Sequence, residues 1–542
     1  MSSKAPRFCD LPIKQENVKR LKRDEIQSTS YCNDVAVKNG QLLETLSIVF
    51  GYEQYRSKVQ QKAVETVFHG QKDCFVSMPT GAGKSLCYQL PSAADCPGNI
   101  TIVISPLIAL ITNQISQMQK LGLNAVTINS SLSTAQQNKI KAELMSKSVK
   151  IKMLYITAEM ASTVGFSFIL QHLYNTKRLS RIAVDEAHCV SQWGHDFRPD
   201  YLKLGHIKER YNDVPWVALT ATASPVVVED IMKLLCLRQP VSIFRSSPFR
   251  ENLHYDVVFK DILKNPLINL KEFAEESLMM KLPVQQNMQS NFLKAADLFQ
   301  STKERTKALK RLKSNSVSPS QPMITSFLPS RSEEIDHKTK QKVKTKNVGI
   351  VYCRTRQSCD EIASKLTALG LDSYAYHAGL TPSQRKAIQE QWMNAEINCI
   401  CATISFGMGV DKSEVRFVAH WNLPQSLTAY YQESGRAGRD GKSSKCRIYY
   451  SRKDKEDIEF LIRQENSKLP NQKQQSSSEA LKKFDKVVSY CENQSKCRHM
   501  LLIKEFEEFN GSMKNGCGKC CDFCVNPGKV RRNVEQLKRH SN

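Results

Sequence analysis

The stretch CFVSMPTGAGKSLCYQL, Cys74–Leu90, decides the fold. Its first four residues are an apolar run of strand length, its middle is a glycine-bearing turn, and LCYQL reads as the start of a helix. Strand, loop and helix in that order open a parallel α/β sheet. The turn MPTGAGKS, Met78–Ser85, keeps the GK[ST] end of a phosphate-binding loop, with Met78 where the general pattern has its first glycine. Gly81 and Gly83 let the backbone of Met78, Pro79, Thr80 and Ala82 wrap closely, so that amides and the following helix N-terminus face phosphate oxygens. Lys84 is the expected partner of the β- and γ-phosphates of ATP, and the Ser85 hydroxyl the expected ligand of Mg²⁺.

Outward from this loop, between about 41 and 247, β-branched runs alternate with longer amphipathic stretches. Thr101–Ser105, Met153–Thr157, Arg181–Val184 and Trp216–Thr220 each end at a polar or glycine-rich turn. The stretch Ile100–Ile111, broken by Ser105 and Pro106, reads as a buried strand and its exit. The alternation resumes at Val348–Cys353, Ser373–His377, Ile400–Thr403, Phe417–Trp421 and Arg447–Tyr450. Two parallel α/β domains in tandem are expected, at 41–250 and 251–453. Residues 1–40 are polar and read as a flexible arm carrying the basic cluster Lys19–Arg23, a candidate nuclear-import signal. Residues 276–346 contain SNSVSPSQP and little strand character. From Lys303 to Lys346 they hold twelve Lys or Arg against four Asp or Glu, the composition of a disordered insertion. Residues 454–512 read as helical.

The 542 residues suit about three domains. Lys and Arg outnumber Asp and Glu by 78 to 53, a net charge of +25 that attracts polyanions, nucleic acid first among them. No apolar run reaches the roughly 18 residues of a membrane span, and the N-terminus lacks a signal-peptide core, so no membrane partner is expected. Of 18 cysteines, six fall between Cys491 and Cys524, which a metal explains better than disulfides do.

A second acidic motif, AVDEAH at Ala183–His188, closes another apolar strand. Asp185 is the expected Mg²⁺ holder and Glu186 the group that polarises the attacking water. In the second domain QESGRAGRDG, Gln432–Gly441, presents Arg436 and Arg439, guanidiniums able to neutralise charge developing on a γ-phosphate across an interdomain cleft.

With these motifs in place the sequence resembles the RecQ family of superfamily 2 helicases, its RecQ5-type members in particular, nearly collinearly from about Leu46 to Pro527. The resemblance rests on FGYEQYRSKVQ, MPTGAGKSLCYQLP, SPLIALITNQI, VDEAHCVSQWGHDFRPDY, LTATA, YHAGL, ATISFGMGVDK and YYQESGRAGRDG. It implies two RecA-like domains followed by a helical zinc-binding subdomain at 454–527, and an ATP-dependent, 3′→5′ DNA helicase acting in repair, recombination or replication in the nucleus. Gln60 then resembles the adenine-reading glutamine, with Arg56 beside it. His188 joins the catalytic set. Thr220–Thr222 couple ATP state to DNA, and Asp411 links the second domain to nucleotide. The loop Ser191–Tyr201 resembles the family's aromatic loop, where Trp193 and Phe197 would stack on single-stranded DNA with His195 and Arg198 nearby. Such a stack contributes roughly 1–3 kcal/mol per base. The alternative is a DNA translocase or strand-annealing factor with weak unwinding.

Cys497, Cys517, Cys521 and Cys524 match the family's zinc module with spacing C-x₁₉-C-x₃-C-x₂-C, four thiolates that suit structural Zn²⁺. Cys520 could replace Cys521; the C-D-x-C ending favours Cys521. Eighteen residues follow Cys524, fewer than a winged-helix domain requires, so the usual strand-separating hairpin is not expected. The basic tail from 528, with KVRRNVEQLKRH at Lys529–His540, is expected to form an amphipathic helix that touches DNA or packs on the core. YITAE has Ala158 at the family's usual proline. Within the insertion, QPMITSFL, Gln321–Leu328, has the spacing of a sliding-clamp-binding box through Gln321, Ile324 and Phe327.

Overall fold

A computed structural model describes residues 35–191, 197–280, 346–403, 406, 412–467, 474–506 and 516–539. Two wholly parallel sheets dominate it. The first contains β1 (Cys74–Ser77), β2 (Ile100–Ile104), β3 (Ala125–Thr127), β4 (Met153–Ile156), β5 (Leu179–Val184), β6 (Trp216–Thr220) and β7 (Ser242–Arg245). Its spatial order is β3-β4-β2-β5-β6-β1-β7. Strands β2 and β6 are buried at every residue, because helices cover both faces and leave no solvent side to alternate toward.

This order places β5, β6 and β1 side by side, with Ser77 opposite Thr220 and Val184 opposite Ala218. Their carboxyl ends therefore deliver the phosphate-loop motif, the acidic motif and Thr220 to one edge. Ligand sites of open α/β sheets lie at such edges.

The second sheet runs β10-β11-β9-β12-β13-β8. Its strands are β8 (Leu253–Phe259), β9 (Val348–Tyr352), β10 (Ser373–Tyr376), β11 (Cys399–Ala402), β12 (Val415–His420) and β13 (Ser444–Tyr450). Helices Arg452–Ser467, Gln474–Cys491, Arg498–Ile503 and Pro527–Arg539 follow. They do not form a separate core: Val487, Cys497, Cys521, Val534 and Leu537 pack in one cluster with Leu253, Tyr255, Val418 and Ile448 of the sheet. Main-chain bonds continue the join, since Tyr255 N donates to Cys520 O at 3.0 Å.

Three strands escaped the sequence reading. β3 has only three residues, β7 is half exposed, and β8 alternates buried and half-buried positions at a sheet edge, so none makes a continuous apolar run. Two boundaries also move. A helix starts at Val35 and buries Leu42 and Leu46, so the end of the proposed arm is ordered. The helix Pro266–Leu278 carries through Glu276–Leu278, which composition had placed in the insertion; Ser277 and Leu278 are buried. β2 ends at Ile104, and its exit leads into the helix Ile108–Lys120. Ala158 occupies the first position of the short helix Ala158–Ala161, capped by Thr157, where a proline would also fit. The tail forms the helix Pro527–Arg539, and Val530, Val534 and Leu537 bury its apolar stripe. Residues 1–34, the span 281–345 with Gln321–Leu328, and Trp193, His195 and Asp411 lie outside the described residues. No described helix is long and apolar enough to cross a membrane.

Beneath the nucleotide edge a buried ion pair fixes the other ends of the same strands. Asp73, just before β1, accepts from Trp216 N at 2.9 Å and from Arg238 N at 2.7 Å. Lys208 approaches it at 2.9 Å, and both side chains are fully buried. Removing one partner strands the other charge, a loss of about 3–5 kcal/mol. Lys208→Ala should therefore lower the unfolding free energy by about that amount in urea titration; an unchanged midpoint would refute the pair's role.

Candidate functional site

The phosphate loop begins where β1 ends. Gly81 and Gly83 adopt φ of +87° and +84°, the left-handed conformation that a side chain would strain. A Cβ at Gly83 would also lie 2.3 Å from Gln60 Nε2. Helix Leu86–Ala94 starts directly behind the loop and is buried along nearly its whole length. Gln60 is placed by its own helix, Lys58–His69, whose N-cap Ser57 accepts from Gln60 N. Its amide is engaged at both ends: Oε1 accepts from Arg56 N at 2.8 Å, and Nε2 donates to Gly83 O at 3.0 Å. The Arg56 guanidinium donates to Gly81 O. Gln60, expected to meet adenine, and Arg56 beside it are thus bound to the loop expected to meet phosphate.

At the floor of the site Lys84 Nζ lies 3.3 Å from Glu186 Oε1 and 3.6 Å from Asp185 Oδ1. Burial works to lower the Lys84 pKa, but Glu186 and Asp185 outweigh it and hold the ammonium above the ordinary lysine value. Burial likewise pushes the Asp185 carboxyl up, against the pull of Lys84. Glu186 carries φ +51° and ψ +46°, a conformation costing roughly 1–2 kcal/mol for a residue with a Cβ. Strain of this kind gathers at working sites. The donor set suits Mg²⁺, since the Ser85 hydroxyl and the Asp185 carboxylate are hard oxygen ligands. Ser85 Oγ is approached by Gln114 Nε2 at 3.4 Å.

From the acid pair a polar chain runs to the second domain. Glu186 Oε2 lies 3.3 Å from His188 Nδ1, which is 2.9 Å from Thr220 Oγ1. Thr220 Oγ1 donates to Thr222 O at 3.1 Å, and Thr222 Oγ1 accepts from Gln432 Nε2 at 2.6 Å. His188, Thr220 and Thr222 are all buried, where hydrogen bonds hold geometry most firmly. Gln432 opens the motif that carries the arginines, and only the fold brings it across the cleft to Thr222.

The loop bearing Arg436 and Arg439 lies against the phosphate loop. A Cβ at Gly81 would be 3.6 Å from Arg439 Cγ, and one at Gly435 would be 3.7 Å from Thr80 Cβ. Burial pushes the Tyr352 phenol up to about 12, with Arg436 and Arg439 pulling the other way. Of the expected DNA contacts, Phe197 and Arg198 are described. Arg198 N donates to Cys189 O at 2.9 Å, and Arg198 Nη1 donates to Pro106 O at 2.7 Å. This ties the far side of the aromatic loop to the SPLIALITNQI segment.

At the other end of the second domain the thiols of Cys497, Cys517, Cys521 and Cys524 lie within 4.8 Å of one another. Cys497 and Cys521 Sγ are 3.9 Å apart. Tetrahedral zinc with Zn–S near 2.3 Å requires a sulfur separation of about 3.8 Å. Hydrogen bonds from Cys517 and Cys521 hold the Cys497 thiol down to about 4, while bonds with Cys497 and Cys521 raise Cys517. Cys520 turns away and donates to Glu251 O at 3.1 Å. The geometry therefore groups Cys521, not Cys520, with the other three. A Cβ at Gly516 would lie 2.9 Å from Cys524 Sγ, so the approach to the cluster needs glycine there.

Comparison with known proteins agrees with this architecture. Residues 57–231 match the DEAD/DEAH box helicase family model, 331–441 the helicase conserved C-terminal domain, and 452–525 the RecQ zinc-binding model. ATP-dependent DNA helicase Q5 of Rattus norvegicus is 42% identical over 499 residues, covering 92% of this chain and 45% of the relative. RecQ-like DNA helicase blm-1 of Caenorhabditis elegans is 37% identical over 504 residues, covering 92% and 43%. ATP-dependent DNA helicase Q1 of Pongo abelii is 33% identical over 503 residues, covering 92% and 65%. The chain thus spans about half the length of the first two relatives. Among solved structures, the DUF1998 helicase MrfA bound to DNA superposes with a TM-score of 0.52 at 18% identity, covering 76% of this chain and 51% of that one, a likeness of fold. With all three modules matched in order along most of its length, this chain belongs to the RecQ family of superfamily 2 helicases.

Proposed function

We propose that this chain is an ATP-dependent DNA helicase that moves 3′→5′ and separates duplex DNA. One observation carries the reading: the polar chain from Glu186 through His188, Thr220 and Thr222 to Gln432 joins the hydrolytic acid to the opposite domain. A hydrolase without mechanical output has no need of that connection.

Bound ATP and Mg²⁺ supply the phosphoanhydride whose cleavage drives the cycle. Lys84 and the amides of Met78–Ser85 bind and orient the phosphates. Asp185 and Ser85 are the residues that would hold the metal. Glu186 positions the attacking water and accepts its proton, and Arg436 with Arg439 neutralise charge that develops on the departing phosphoryl oxygens. When that charge goes, the arginine loop loses its attraction to the phosphate loop and the cleft relaxes. His188 reports the state of Glu186 to Thr220 and thence to Gln432. Phe197, together with Trp193, is proposed to hold single-stranded DNA by stacking, so that opening of the cleft moves the strand. Separating one base-pair step costs about 1.4 kcal/mol on average, within reach of one hydrolysis event.

The basic cluster Lys19–Arg23, a candidate import signal, supports work in the nucleus. A sliding clamp is a further proposed partner, through Gln321–Leu328. In a binding titration with a clamp, Ile324→Ala/Phe327→Ala should lose affinity; equal affinity would end that proposal.

Lys84→Ala and Glu186→Gln should each reduce DNA-stimulated ATP hydrolysis by at least about 10²–10³-fold with the melting transition retained. On 3′-tailed, 5′-tailed and blunt duplexes, wild type should displace the strand from the 3′-tailed substrate alone. Hydrolysis surviving in both variants, or displacement from the 5′ tail, would contradict the reading. Zinc should bind at one ion per chain in wild type and Cys520→Ser, but not in Cys521→Ser, whose second domain should melt at lower temperature. Equal metal content in the two variants would displace Cys521 from the site.

A further inference from the structure

Arg250 lies in the connection between the sheets, after β7 and just before β8. No motif marks it. Its Nη1 donates to Gly435 O at 2.9 Å, and its Nη2 to Gly438 O at 2.5 Å. Those two glycines are the residues immediately before Arg436 and Arg439. Each accepted carbonyl therefore belongs to the peptide plane whose nitrogen begins one of the arginines. Fixing that plane fixes where the Cα–Cβ bond of the arginine points.

The backing is specific. Gly438 sits at φ +59°, and Asn252 Nδ2 shares its carbonyl at 2.8 Å while also holding Lys442 O at 2.9 Å. Across the cleft Arg250 Nη1 also reaches Thr80 O of the phosphate loop, at 3.5 Å. Among the described residues no carboxylate pairs with Arg250, and burial lowers its pKa in the neighbourhood of Arg439. A half-buried cation set against carbonyl dipoles and beside like charge is a poor way to gain stability. It does provide a planar fork that can hold two peptides at a set spacing, which a lysine cannot reproduce.

We propose that Arg250 is a positioning residue for ATP hydrolysis, which sets the aim of both Arg436 and Arg439 and registers their loop against Thr80. This role rests on the ATPase reading above. Arg250 touches neither the acid pair nor the water that Glu186 positions, so it acts through the two arginines.

The test uses the full chain with single-stranded DNA and ATP. Arg250→Lys and Arg250→Gln should lower kcat by about 10–100-fold, the effect of misplacing a catalytic group by roughly an ångström, with the KM for ATP within about twofold of wild type. Melting temperature and DNA affinity of Arg250→Lys, which keeps the charge, should match wild type. In an Arg436→Ala/Arg439→Ala background, adding Arg250→Lys should change the residual rate by less than about twofold, because the anchor then has nothing to aim. An unimpaired kcat in Arg250→Lys, or a loss of the same size in the double-alanine background, would overturn the role. Wild type that fails to hydrolyse ATP would instead sink the ATPase reading itself, and this role with it.

Discussion

Lys84 sits 3.3 Å from Glu186 and 3.6 Å from Asp185, an ammonium between a partly exposed carboxylate and a buried one. The cation between them offsets the mutual repulsion of the two carboxylates, and the strand order of the first sheet brings all three together. Lys84 arrives on the loop after β1 and the acids on the turn after β5, with β6 between those strands. That order brings the two loops to the same edge of the sheet. The strain at Glu186 follows from the same demand: its left-handed backbone turns the chain sharply out of β5.

The second domain completes the site from outside. Its arginine loop rests on Gly81 and Thr80, where a side chain larger than glycine at 81 would meet Arg439. Its Gln432 ends the polar chain that begins at Glu186. The second domain is thus attached on two sides of the same centre, at the phosphate loop and through Gln432. The zinc cluster stands apart from this chemistry but not from the architecture. Arg498 is buried and paired with Asp522 at 2.9 Å, and Asp522 accepts from Val257 N in the edge strand β8. The cysteine module is thus joined to the sheet that carries the arginines.

Much of this was legible in the residues. GK[ST] after an apolar run, an acid pair at another strand end and two arginines in a glycine-rich loop each have a chemical reason for their spacing. Long buried strands such as ITIVI and WVALT announce themselves, because burial on both faces demands uninterrupted apolar side chains. Strands at edges do not: β8 reads LHYDVVF, and three of its seven positions are only half-buried. The choice between Cys520 and Cys521 was open for a similar reason. Adjacent residues differ in direction, and direction is a property of the backbone that spacing alone leaves undetermined.

The sequence by itself determined the chemistry available and the order in which it arrives, because loop, acid and arginine motifs depend on local residue types at short range. Only the tertiary structure decided which groups meet. It joined Gln432 to Thr222 across 210 positions of chain, grouped Cys521 with the cluster, and set Arg250 on the carbonyls preceding both arginines. Those contacts depend on how two sheets sit against each other, a long-range property for which no single stretch of sequence carries a signature.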